Sequence, residues 1–107
     1  MLLELNIPSK RRGFVYLEKG IRQYLKQPGQ ALTKTLYPDL AREHCTQPEA
    51  VERAIRHLIE VTWARGDWEV LNRYFGNTVS AEKGKPTNGE FIARMANVVN
   101  QRLREAA

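Results

Sequence analysis

The side chains best equipped for chemistry are concentrated between residues 46 and 60. Arg53 and Arg56 each carry a planar fork of donors that can grip a guanine edge or a phosphate, and Glu52 can accept from a cytosine amine. His57 can reach a phosphate. Helical spacing places Glu49, Arg53, Arg56, His57 and Glu60 on one face, with Ala50 and Glu52 on its flanks. The plain alternative is a solvated face laced by ion pairs at four-residue spacing, Glu49 with Arg53 and Glu52 with Arg56.

Other chemistries find little support. His44, Cys45 and His57 lack the paired spacing of a metal site, and a Cys-His dyad needs an oriented pair in a cleft. Gly84-Lys85 is not a phosphate-binding loop, because Val79 stands where the first glycine is required and Pro86 where a hydroxyl residue is. The carboxylates are scattered, without a convergent pair. These residues therefore predict neither an enzyme nor a metal or cofactor site.

The elements that must position this face fit in one domain of 107 residues. Lys and Arg number 17 against 12 Asp and Glu, a net charge of +5 that suits a polyanionic partner. One cysteine excludes an internal disulfide and the four-thiolate zinc sites. No apolar run approaches the roughly 20 residues of a membrane span. The start lacks the basic region of a secretory signal, so the expected compartment is the cytoplasm.

Residues 1–12 read as a frayed leader and basic linker, with a short strand over residues 2–7 as the alternative. Residues 13–107 are expected to form the folded domain. Phe14, Leu17, Ile21, Tyr24 and Leu25 predict a first helix, ended by Pro28-Gly29. An apolar turn over 32–37 precedes a short helix with Pro38 in its first turn. The longest helix, 48–65, is announced by Thr46-Gln47-Pro48-Glu49 in capping-box form. Its inner stripe is Val51, Ala54, Ile55, Leu58, Ile59 and Thr62, and Gly66 closes it. A helix over 68–75, a loop over 78–88 and a last helix from Gly89 to Glu105 complete the chain. Thr87 or Asn88 caps that helix, and Phe91, Ile92, Met95, Val98, Val99 and Leu103 are its inner face. The expectation is an all-α, compact domain of six helices. Trp63, Trp68, Tyr74, Phe75 and Phe91 are expected in its core, and Cys45 between its two central helices.

The short helix, the break at Cys45-Thr46-Gln47 and the long helix have the spacing of a helix-turn-helix, whose second helix enters the major groove N-terminus first. Within it the run Val51-Glu52-Arg53-Ala54-Ile55-Arg56-His57 continues as Ile59-Glu60-Val61-Thr62-Trp63-Ala64-Arg65-Gly66. Phe75-Gly76-Asn77-Thr78-Val79-Ser80 and Lys83-Gly84-Lys85-Pro86-Thr87-Asn88 follow, then Glu90-Phe91-Ile92-Ala93. Together with Thr33-Lys34 and Leu36-Tyr37-Pro38, this resembles the C-terminal DNA-binding effector domain of the stage-zero sporulation response regulator, from about Phe14 to Arg104.

The resemblance implies a six-helix fold that binds a short promoter element of double-stranded DNA, often as tandem copies, and regulates transcription during sporulation. It places helix 48–65 in the major groove, entering by Thr46, Gln47, Glu49 and Ala50. Glu52 and Arg53 match base-contacting positions, and Arg56 and His57 lie nearer the backbone. Lys34 and Lys85, Thr87 and Asn88 match positions near phosphates, with Lys83 on the same face. Residues 68–79 match the region that contacts the RNA polymerase sigma subunit.

Two departures stand out. Ala50 occupies the place of a family arginine that reads guanine, and Glu49 that of a small hydroxyl residue. The receiver domain that carries the family's phosphoacceptor is not represented, since Asp39 and Asp67 are the only aspartates and neither ends an apolar strand. A stand-alone effector is expected. The competing expectation is a protein-interaction module or antagonist that kept the fold and lost family-type base reading.

Overall fold

The computed structural model describes residue 7 and residues 11–66, 68–76 and 84–106. Five α-helices follow one another: α1 (Arg12–Lys26), α2 (Tyr37–Glu43), α3 (Pro48–Arg65), α4 (Trp68–Phe75) and α5 (Asn88–Ala106). Among the described residues there is no strand, so the fold is all-α as expected. The expected count of six helices is corrected to five α-helices among the described residues, and the stretch expected as an apolar turn over 32–37 is wound. Leu32–Leu36 is a single wide turn in which the Leu36 N–H reaches back to the Ala31 carbonyl at 3.2 Å. That five-residue closure feeds into α2 without a break, so the two segments are one continuous winding.

α1 buries Gly13, Tyr16, Leu17, Gly20 and Ile21. The face is rotated from the one the large apolar residues suggest: Phe14, Tyr24 and Leu25 only border the core. Glycine sets the rotation. A Cβ on Gly13 would sit 2.5 Å from the carbonyl oxygen of Ala54 on α3, so only a residue without one lets the two backbones meet. The exit of α1 is closed by Gln30. Its amide donates to the carbonyls of Gln23 (3.0 Å) and Gln27 (3.1 Å), a second donor for each beside the backbone N–H groups of Gln27 and Gln30. Gln23 in turn donates to Gln30 Oε1 at 2.8 Å and to Asp39 Oδ2 at 2.9 Å, tying α1 to the start of α2.

α3 buries the expected stripe of Val51, Ile55, Leu58, Ile59 and Thr62, with Ala54 at its edge. Thr62 satisfies its buried hydroxyl by donating to the Leu58 carbonyl at 2.8 Å. The capping box expected at its start does not form. Gln47, not Thr46, is the N-cap and no side chain caps it, so Glu49 is the second helical residue and not the third that the box requires. The box forms instead at α5. There the Thr87 N–H donates to Glu90 Oε1 (2.8 Å) and the Glu90 N–H to Thr87 Oγ1 (3.1 Å).

α1 packs against both α3 and α5, and α2 against α3. Phe75 and Phe91 stack at 5.0 Å between centroids, and Trp63 meets the edges of both. Phe75 and Phe91 are core residues, while Trp63 and Tyr74 are half-buried against it. The Trp68 side chain lies outside the described residues. On α5 the inner face is Phe91, Ile92, Met95, Ala96 and Val98. Leu103, expected inside, is 62% exposed because the last turns of α5 run past the core.

Two further expectations are corrected. Ile7, assigned to a frayed leader, is 3% exposed and belongs to the core cluster. Cys45 does not fill the space between α2 and α3. It is exposed, at a φ of 54°, and turns the chain while Tyr16 packs edge-on against His44 at 5.2 Å. The strand alternative over residues 2–7 falls outside the described residues, Ile7 apart. Among the described residues no helix is long and apolar enough to cross a membrane.

Candidate nucleic-acid interface

With one side of α3 committed to the core, its other side is left to solvent. Glu49, Arg53, Arg56, His57 and Glu60 are all exposed there, as spacing predicted. A four-residue connection, 44–47, leads into this helix from α2. In it the Thr46 N–H donates to the Ala41 carbonyl at 2.9 Å, which fixes the turn, while the Gln47 side chain is exposed. Ala50 and Glu52 sit half-buried on opposite flanks of the exposed face.

The charges on this face are already partly matched. Arg56 Nη1 lies 3.3 Å from Glu52 Oε1, so the second of the two ion pairs expected at four-residue spacing forms. Arg53 has no ionic or hydrogen-bonding partner among the described residues. Lys85 Nζ lies 3.1 Å from Glu60 Oε1, linking the segment before α5 to the middle of α3. Exposed pairs of this kind contribute about 0.2–1 kcal/mol each, little enough for a phosphate to displace the carboxylate.

Asn88 has the most exacting position. Its amide donates to the Tyr37 hydroxyl at 3.0 Å and to the Glu52 main-chain carbonyl at 3.1 Å. One side chain thereby joins the start of α5 to the start of α2 and the first half of α3. Burial pushes the Tyr37 hydroxyl above its ordinary value of 10.0, with the bond from Asn88 pulling the other way. Around this clamp lies a groove of about 560 Å³, lined among others by Glu52, Arg56, Lys85, Thr87 and Asn88 and also by Thr33 and Tyr37. Lys34 is exposed on the turn that carries Thr33. Lys83 lies outside the described residues.

The site residues read from the sequence fall into two sets. Glu52, Arg56, Lys85, Thr87 and Asn88 converge on the groove, while Gln47, Glu49, Arg53 and His57 stand on the open face of α3 beside it. Tyr37 and Glu60 were not singled out, although both hold members of the first set. No sequence signal connects Tyr37 to Asn88, 51 residues away. Glu60 carried a signal, since it shares the face of Arg53 and Arg56.

The described residues thus form a small all-helical domain that turns the charged side of α3 to solvent. Residues 1–99 match the family described as Sporulation initiation factor Spo0A C terminal, and the chain belongs to that family. It is a family of DNA-binding domains that regulate transcription in sporulation. The match begins at residue 1 and so takes in the segment read as a leader.

Proposed function

We propose that this chain is a sequence-specific regulator of transcription that binds double-stranded DNA in the cytoplasm, with α2, the 44–47 turn and α3 acting as a helix-turn-helix. On this reading residues 13–107 are the effector domain and residues 1–12 a leader segment whose Ile7 packs into the core of that domain. The observation that carries the reading is the division of α3: five side chains sealed in the core, and Arg53, Arg56 and His57 exposed on the opposite side. A helix of this kind lies in a major groove with its N-terminal half toward the bases.

In that pose Arg53 grips a base edge, and Glu52 faces the same groove once Arg56 turns to a phosphate. Lys34, Lys83, Lys85 and Thr87 follow the backbone, and Thr46 and Gln47 lead into the groove. Ala50 forgoes the arginine–guanine pair that family members make, and Glu49 adds a negative charge where the groove is most negative. The target element therefore differs from the usual family element at that guanine, or is bound more weakly. Residues 68–79 are proposed to face the polymerase sigma subunit, and tandem copies to occupy adjacent elements.

A second reading, a protein-interaction module or antagonist that no longer reads DNA, draws support from Ala50, Glu49 and the carboxylates that already hold Arg56 and Lys85. A salt titration of binding to duplex DNA separates the two. Counterion release makes log affinity fall against log salt with a slope of about 0.9 per phosphate neutralised. A DNA reader gives a steep line, and a module with protein partners alone gives no duplex binding.

A further inference from the structure

We propose that Arg11 and Arg12, at the N-terminus of α1, form a second phosphate-contact point for duplex DNA on the flank of α3 opposite Lys85. This rests on the placement of α3 in the groove argued above.

The geometry comes from Gly13. Its approach to the Ala54 carbonyl and to Leu58 Cβ, where an added Cβ would be 2.5 and 3.2 Å away, fixes the first turn of α1 against the N-terminal half of α3. Arg11 and Arg12 immediately precede that contact. Lys85 and Asn88 grip the other flank, through Glu60 and through the Glu52 carbonyl. Glu52 and Ala54 are two residues apart, which at 3.6 residues per turn places them about 160° apart around the helix. The two basic groups thus straddle the exposed face. A helix in a major groove has a phosphate backbone on either side, so one flank engages each strand.

The electrostatics agree. Arg11 and Arg12 are both exposed, and neither has an ionic partner among the described residues. Several other basic residues do: Lys19 pairs with Glu43, Arg22 with Glu18 and Arg42 with Asp39. Arg11 is the N-cap of α1 yet makes no capping bond, and the first turn of α1 holds no acidic residue. The positive end of that helix dipole therefore adds to the two guanidinium charges. Arg12 also borders a cavity of about 280 Å³ with Val15, Tyr16 and His44, beside the turn that leads into α3. In the wall of that cavity His44 Nε2 is buried without a hydrogen-bond partner, the one such side-chain atom among the described residues. An anion held by Arg12 would rest at the end of α3 that enters the groove.

The test is the salt dependence of binding to a short random-sequence duplex, for the whole chain and for the R11Q/R12Q and R11K/R12K variants. R22A, whose arginine is paired with Glu18, serves as control. The expected result is a slope shallower by about 0.9 for each phosphate given up in the glutamine variant, with the lysine variant and R22A matching the parent. Circular dichroism melting checks that all are folded, and the R11A/R12A pair repeats the measurement should glutamine perturb the helix start. A steep parent slope left unchanged in both neutral pairs overturns this inference alone. A parent with no salt-dependent duplex binding overturns the DNA-binding reading and this inference with it.

Discussion

Arg53, in the first half of α3, is exposed and held by no carboxylate among the described residues, whereas Arg56 is engaged by Glu52 at 3.3 Å. The two should therefore behave differently. Arg53→Ala is expected to lower affinity for the preferred site by about 1–3 kcal/mol and to relax the choice at one base pair. Competition binding against single-base variants of that site measures both. Ala50→Arg tests the departure from the family: it should create a guanine preference at one position, worth about tenfold or more, read in the same assay. Unchanged selectivity would place α3 differently relative to the bases. The exposed face was legible because helical periodicity alone separates Arg53, Arg56 and His57 from Val51, Ile55 and Leu58. Which of its charges are already spent was half legible. Glu52 with Arg56 follows from four-residue spacing, but Lys85 with Glu60 joins residues that only the fold brings together.

Among the elements, α3 is held from two sides by devices of different kind. On one side Gly13 admits the backbone of α1, and on the other Asn88 bonds the Glu52 carbonyl and the Tyr37 hydroxyl. Asn88→Ala should weaken preferred-site binding by loosening the seat of α3 while leaving the salt slope within a few tenths of the parent, since no phosphate charge is lost. A slope reduced by a full phosphate would instead make Asn88 a backbone contact. Tyr37 gives this clamp a pH signature. Its folded value lies above its ordinary 10.0, so the unfolded chain loses its proton first as pH rises. The contribution is complete below about pH 10 and declines through the folded value. Urea melts on the alkaline side should show this decline in the parent and a smaller one in Tyr37→Phe, the other tyrosines being common to both.

Helix identity was readable from period and punctuation, and helix ends less so. Thr46 and Thr87 both stand three residues before a glutamate, yet only Thr87 closes a capping box. The difference is one of register, because α3 starts at Pro48 with Gln47 as its N-cap, which leaves Thr46 one residue outside the capping position. The turn over Leu32–Leu36 was seen as a separate unit because sequence carries no sign of its wide closure onto Ala31. The inner face of α1 was misplaced by a residue or so for a related reason. Large apolar residues mark a face, whereas here Gly13 and Gly20 mark the line of closest approach.

In the whole molecule, the stack of Phe75 on Phe91, with Trp63 at its edge, joins α3, α4 and α5. Phe91→Ala removes a fully buried ring and should cost about 3–5 kcal/mol in a urea melt, a large share of the stability of a domain this size. Arg53→Ala, on the exposed face, should leave that melt within about 0.5 kcal/mol of the parent. The contrast separates residues that build the domain from those that use it. Ile7 falls in the first group although it lies in the segment expected to fray, because a single apolar side chain reaching the core is invisible to pattern.

The central claim is that the polar side of α3 reads a duplex. Site selection from a random-sequence DNA pool with the purified chain tests it most directly, carried out in parallel with Arg53→Ala. The account predicts one enriched motif for the parent and the loss of preference at one base pair of that motif in the variant. A parent that enriches no motif, or a variant that returns the parent's motif unchanged, would contradict it.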